Sequence, residues 1–180
     1  MKKSNLRRIN KEDFSSFFSL LENSFPSIER RSREGQKNLF KENSYKVFGH
    51  KDSYGNVIAF IATWEFENFI FIEHFAVDSK LRCNGLGSDM IKELLEECKK
   101  PIFLEVEEPE NDLAARRIKF YKRLGFNLNH FDYLQPPLQK EHEHLPLKVM
   151  SYPSKVDGEK FNKFKSQVYN KVYKVNNLRY

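Results

Sequence analysis

Two hydrophobic rhythms run along this chain and divide it into elements. The most continuous apolar run is Phe69-Ile70-Phe71-Ile72, then Glu73-His74, then Phe75-Ala76-Val77. Such a run predicts a strand covered on both faces, where an ionisable group needs a reason. Tyr45–Gly49 and Val57–Trp64, joined by the polar turn Lys51–Asn56, predict a β-hairpin. Ile102–Val106 follows Pro101 as another strand, and Phe126–Leu134 and Leu145–Tyr152 predict two closing strands around the loop Gln135–His144. Leu6–Ile9 predicts a short first strand.

A period of three to four marks the helices. Asn10 is placed as an N-cap for a helix through Phe14, Phe17, Phe18 and Leu21 that stops before Pro26. A weaker helix, Ser32–Lys41, has only Leu39 and Phe40 to bury and is predicted to flank a cleft. Leu86, Met90, Ile91, Leu94, Leu95 and Cys98 share one face of a helix over 86–99. Leu113–Leu124 forms another, stopped by Gly125 at the C′ position. Phe161, Phe164, Val168, Val172 and Val175 make a final stripe on a Lys-rich segment.

Hairpin, long strand, turn, helix, strand, helix and closing strands predict a mixed sheet with helices packed on it, α/β or α+β. At 180 residues the expectation is one domain over 1–152 with a basic amphipathic helix, 153–180, appended to it. No apolar run approaches the length of a membrane span. The basic N-terminus lacks the apolar segment of a signal peptide, and Cys83 and Cys98 are the only cysteines, so a cytoplasmic protein without a disulfide framework is expected. The net charge is +6, but seven Lys/Arg against Asp157 and Glu159 fall in 155–180. The rest is close to neutral, so a nucleic-acid surface is not indicated. The basic stripe is expected to pack on its own domain or on a second copy in a homodimer.

Candidate chemistry begins at the turn after the long strand, Arg82-x-x-Gly85-x-Gly87, which leads into a helix. Glycine permits close backbone approach and positive φ, and the amides and dipole of a helix N-terminus favour an anion. A phosphate-bearing ligand is therefore expected at 82–88. Met90 stands where a dinucleotide fingerprint needs its third glycine, and no GK[ST] is present. Glu73, a carboxylate inside an apolar strand, is the sharpest base candidate, with burial expected to raise its pKa toward neutrality.

The second motif is Phe120-Tyr121-Lys122-Arg123-Leu124-Gly125-Phe126. Strand, RxxGxG, helix, the strand Leu104-Glu105-Val106, then a helix with FYxxxGF together resemble the GCN5-related N-acetyltransferase (GNAT) superfamily over about residues 5–152. The resemblance implies a mixed, mostly antiparallel, splayed sheet and acetyl-CoA as co-substrate. Amides of Cys83, Asn84, Gly85, Leu86, Gly87 and Ser88 would hold the pyrophosphate behind Arg82, and the backbone of Phe75, Ala76 and Val77 would pair with pantetheine. Lys80, Lys119 and Lys122 are either 3′-phosphate contacts or solvated charges. Tyr121 stands where the family places a tyrosine near the cofactor sulfur, as general acid. Glu105 matches the glutamate that serves as base in ribosomal-protein alanine N-acetyltransferases, with Glu107 behind it. The family's asparagine seven residues before the tyrosine is Ala114 here, and Asn111, ten before, is assigned the cofactor contact instead; Arg117 replaces a customary small residue and either contacts the cofactor or caps the sheet.

Glu141-His142-Glu143-His144 lacks the helical spacing of HExxH, so no metal site is expected. Cys83 has no part in a direct mechanism. Glu65, Glu67, Glu73, Glu105, Glu107, Glu108, Glu110 and Asp112 favour a cationic acceptor. The resulting expectation is acetyl transfer to a primary amine, on a small molecule or a peptide N-terminus, with Tyr121 as acid and Glu73 or Glu105 as base. The alternative is a non-catalytic acetyl-CoA-binding sensor or interaction protein.

Overall fold

The computed structural model describes residues 6–175, in two compact units that meet in sequence at Lys100 and Pro101. The fold is mixed α/β, with mostly antiparallel open sheet flanked by helices.

In the first unit, β1 (Arg7–Arg8), β2 (Tyr45–Lys51), β3 (Val57–Glu65) and β4 (Ile70–Val77) follow one another in antiparallel order. Asp52 closes the β2–β3 turn by accepting the amides of Tyr54 and Asn56. Helix α1 (Phe14–Ser24) lays Phe17 edge-on against Phe60, ring centroids 4.7 Å apart. Phe60 pairs with Ala76, so α1 covers the face of β4 that Ala76 and His74 share. Helix α3 (Leu86–Glu97) reaches the alternate positions Phe75 and Val77, on the opposite face.

The predicted second helix is shorter than expected. Helix α2 spans Arg33–Asn38 and gives way to a 3-10 turn at Leu39–Lys41. Ser32 caps it through Gly35 N, and its buried member is polar: Gln36 donates to the Tyr45 hydroxyl at 2.7 Å. A buried glutamine leaves no mark in an apolar periodicity.

In the second unit, β5 (Ile102–Glu107) pairs along one edge of β8 (Leu145–Tyr152). Two short strands, β6 (Asn127–Leu128) and β7 (Tyr133–Gln135), also pair with β8. The single strand expected over 126–134 is interrupted by Asn129. Its backbone N–H still donates to Val149 O, and its buried side-chain amide also donates to Val149 O and to Ser151 Oγ and accepts from Val156 N. Helix α4 (Asp112–Arg123) ends at Gly125, whose φ of +92° fits the left-handed stop. Helix α5 (Gly158–Lys171) stacks Phe164 on Phe103 at 4.5 Å and Phe161 on Phe131 at 4.4 Å. Its apolar stripe is thereby buried within its own unit. Among the described residues no helix is long and apolar enough to cross a membrane.

Candidate active site

Strand β4 delivers the chain into the glycine turn. Asp78 caps a 3-10 turn at Ser79–Leu81 through Lys80 N, and Arg82 Nε donates back to Val77 O at 3.1 Å. Cys83 and Gly85 both take positive φ, +67° and +83°. Gly85 occupies the N-cap of α3, and the first intrahelical bond there runs from Asp89 N to Gly85 O. The amides of Leu86, Gly87 and Ser88 have no intrahelical acceptor. A Cβ on Gly87 would lie 3.0 Å from Phe75 Cζ and 3.4 Å from Val77 Cγ2. Glycine there lets the helix start close to β4, and the predicted cradle residues, 82–88, are contiguous and partly or fully exposed.

Upstream of this turn, at Glu73, β4 carries a bulge. Ala62 pairs with His74 and Thr63 with Ile72, so Glu73 has no partner in the β3 register. Glu73 and His74 both meet the segment between α1 and α2. Arg31 Nη1 is 2.7 Å from Glu73 Oε1, with side chains only 10% and 2% exposed. His74 Nε2 is 2.8 Å from Glu29 O, which makes that nitrogen the donor, and its ring packs edge-on to Phe25. Glu73 Oε2 lies 3.6 Å from His74 Nδ1, and neither atom has a hydrogen-bond partner among the described residues.

This setting reverses the expectation for Glu73. Burial does push the carboxyl up, but the Arg31 guanidinium and the His74 ring more than offset it and hold it at about 2. Glu73 is a buried structural anion, not a carboxyl poised near neutrality.

In the second unit, α4 presents Tyr121 on its buried face, next to Phe126 at 5.5 Å. Burial pushes the Tyr121 phenol well above its usual range, and the nearby Arg117 charge opposes this only in part. Asn111, assigned from the sequence to a cofactor contact, is the α4 N-cap: its Oδ1 accepts Ala114 N at 2.9 Å. Arg117 pairs with Glu107 at 2.7 Å, both half-exposed, so that guanidinium already has its anion.

Glu105, on β5, accepts from two phenols. Tyr133 donates to Oε1, and Tyr173, just beyond α5, reaches Oε1 at 2.9 Å and Oε2 at 2.7 Å. Burial, then the Glu105 charge, pushes the Tyr133 phenol up. Half of the expected acidic field is matched by cations: Lys46 meets Glu65, Arg31 meets Glu73, Arg117 meets Glu107 and Lys148 meets Glu108.

Arg31, His74, Tyr133 and Tyr173 were absent from the predicted site. Arg31 is 42 residues from Glu73 and Tyr173 is 68 from Glu105, so no local spacing could have linked them. Among the described residues no group of three or more His, Cys, Asp or Glu is arranged to hold a metal.

Residues 6–126 match the model of the acetyltransferase (GNAT) family. YjbC of Bacillus subtilis (strain 168), a protein named as an acetyltransferase, is 35% identical over 112 residues, 61% of this chain. The match spans 56% of YjbC's own length. A GNAT-family protein of Bacteroides thetaiotaomicron, also named as an acetyltransferase, superposes with a TM-score of 0.86 at 32% identity, covering 96% of this chain and 100% of that one. Arabidopsis thaliana NAA60 in complex with acetyl-CoA is similar in fold, with a TM-score of 0.64 at 16% identity over 82% of this chain and 96% of its own.

Proposed function

Because the chain belongs to the acetyltransferase (GNAT) family, we propose that it transfers acetyl from acetyl-CoA to a primary amine by direct attack on the thioester. The observation that carries this reading is the glycine turn, where Gly87 leaves room for nothing larger beneath α3 without crowding Phe75. Three first-turn amides there suit a pyrophosphate. Acetyl-CoA supplies an activated acyl carbon and a good leaving group, and the chain's residues handle binding and protons.

Tyr121 keeps its proton at any physiological pH, because burial raises its phenol. A thiol ordinarily titrates near pH ~8.5, so a raised phenol stabilises a departing thiolate as a hydrogen-bond donor and does not surrender its proton. This refines the general-acid expectation to a donor role.

Nitrogen becomes acidic as the new C–N bond forms, and its proton then needs an acceptor. Of the two candidate carboxylates, Glu73 is tied to Arg31, which leaves Glu105 as the better acceptor. Glu105 receives the proton directly or through Tyr173, whose phenol passes its own proton to the carboxylate as it takes one from the amine. The acceptor is an amine on a small molecule or a peptide N-terminus. Charge steering toward a cationic acceptor is weakened, since Glu65, Glu73, Glu107 and Glu108 already pair with cations.

An acetyl-CoA consumption screen against panels of amines tests the reading. Thiol release should require an amine, and Tyr121→Phe should lower kcat while leaving acetyl-CoA affinity intact. Tight acetyl-CoA binding with no turnover on any amine would favour a non-catalytic sensor instead.

A further inference from the structure

We propose that Arg31, Glu73 and His74 form a positioning pin that holds the Phe25–Arg31 segment on the β4 bulge and so governs acceptor binding, with Glu73 taking no proton in the reaction. The inference rests on the acetyl-transfer reading above.

The pin has three independent contacts, all from one short stretch. Phe25 packs on the His74 ring at 4.7 Å, Glu29 O accepts from His74 Nε2 at 2.8 Å, and Arg31 binds Glu73 at 2.7 Å. Arg31 also lies over the Trp64 ring, 6.0 Å from its centroid. Both β4 residues reach the same segment because the bulge inserts Glu73 beside His74 instead of opposite a β3 residue. A straight strand would send the two side chains to opposite faces.

Position along β4 ties this pin to the reaction. If the pyrophosphate sits at 82–88 and pantetheine runs back along Val77, Ala76 and Phe75, the acyl end arrives at the bulge, because a strand advances about 3.3 Å per residue. The segment pinned there borders the reacting end, where an acceptor must enter. A carboxylate whose side chain is 2% exposed and bonded to a guanidinium is suited to hold chain, not to meet an incoming amine. The other charged or titratable groups around it are Arg31 from the segment, His74 from β4 itself and Tyr45 from β2.

Steady-state kinetics on the full chain separate a pin from a base. Glu73→Gln and Arg31→Lys should raise the acceptor KM about tenfold or more, hold kcat within about threefold and leave the pH profile of kcat unchanged. The double variant Arg31→Met/Glu73→Leu replaces the ion pair by an apolar contact and should recover much of that KM, which no leucine could do in place of a base. The proposal is overturned if every variant lacking a carboxylate at 73 loses kcat by about a hundredfold and the acidic limb of its profile. It is equally overturned if KM is indifferent to all three.

Hydrogen exchange provides an arm that needs no turnover. In Glu73→Gln, amides within 25–31 should exchange about tenfold faster than in the wild type; unchanged protection removes the pin. If the wild-type chain acetylates no amine, the acetyl-transfer reading fails by itself, and with it the link to acceptor binding, while exchange still decides whether the segment is pinned.

Discussion

Arg31 and Glu73 face each other as a buried ion pair, Nη1 to Oε1 at 2.7 Å, across 42 residues of sequence. Removing one partner leaves the other charge uncompensated away from water, which costs about 3–5 kcal/mol. We therefore expect Arg31→Met and Glu73→Leu each to lower stability on that scale in urea unfolding. The double variant should lie much closer to the wild type, since two apolar side chains of similar volume need no desolvation. Additive losses in the double variant would mean that the pair is not the unit of stability.

The same pair sets an acid limit. The Glu73 carboxyl is held at about 2 in the fold against an ordinary 4.5. A depressed folded value contributes stability that is fully present above the unfolded value and is lost as pH falls through the folded one. Stability should drop between pH 4.5 and pH 2, and Glu73→Gln should flatten that drop. The shift corresponds to about 3 kcal/mol at 1.36 kcal/mol per unit. Equal acid profiles for the two proteins would count against the ion pair as the cause.

Tyr121 has the opposite perturbation, a phenol raised by burial. Tyr121→Phe should lower kcat about a hundredfold, with acetyl-CoA affinity by calorimetry unchanged. Because the phenol stays protonated, it should contribute no limb to the rate profile below pH ~10. A basic limb near pH 8 that disappears in Tyr121→Phe would contradict the donor role.

Much of the fold was legible because apolar runs and helix stops report burial directly. The β3 and β4 runs, the α3 stripe and Gly125 fall where the pattern places them. What the pattern missed has a common cause: polar groups performing buried tasks. Asn129 bonds β8 through its side chain as well as its backbone where a strand was expected to continue, Gln36 fills a core position, and the Glu73-His74 interruption of the apolar run does not reveal that it is a bulge. The candidate glutamates were readable as residues, but their partners were not. Whether a carboxylate is a base or an anchor depends on a guanidinium or phenol brought in by topology, and composition is silent about that.

Gly87 tests the phosphate cradle. An alanine methyl would crowd Phe75 Cζ at 3.0 Å and Val77 Cγ2 at 3.4 Å, so α3 must shift its first turn by a few tenths of an ångström. Gly87→Ala should weaken acetyl-CoA binding about tenfold, about 1.4 kcal/mol, with a small change in Tm. Gly85→Ala works differently. Its φ of +83° imposes about 1–2 kcal/mol of strain on any L side chain, so the loss should be read mainly in Tm. Unaltered affinity in Gly87→Ala would move the pyrophosphate away from this turn.

Tyr173 tests whether Glu105 is the proton acceptor. Its hydroxyl donates to the carboxylate at 2.7 Å from just beyond α5, and Tyr133 donates from β7. Each lost phenol removes one hydrogen bond to a charged group, worth about 1.5–3 kcal/mol, so Tyr173→Phe should destabilise modestly. If the proton travels through this hydroxyl, Tyr173→Phe should also lower kcat about tenfold or more, and Glu105→Gln should lower it further. The double variant should then be no slower than Glu105→Gln alone, because two members of one relay do not act additively. Independent, multiplying losses would mean that Tyr173 only braces the carboxylate. Full activity in Glu105→Gln would hand the proton to water and leave the two tyrosines as a clasp that ties β7 and the end of α5 to β5.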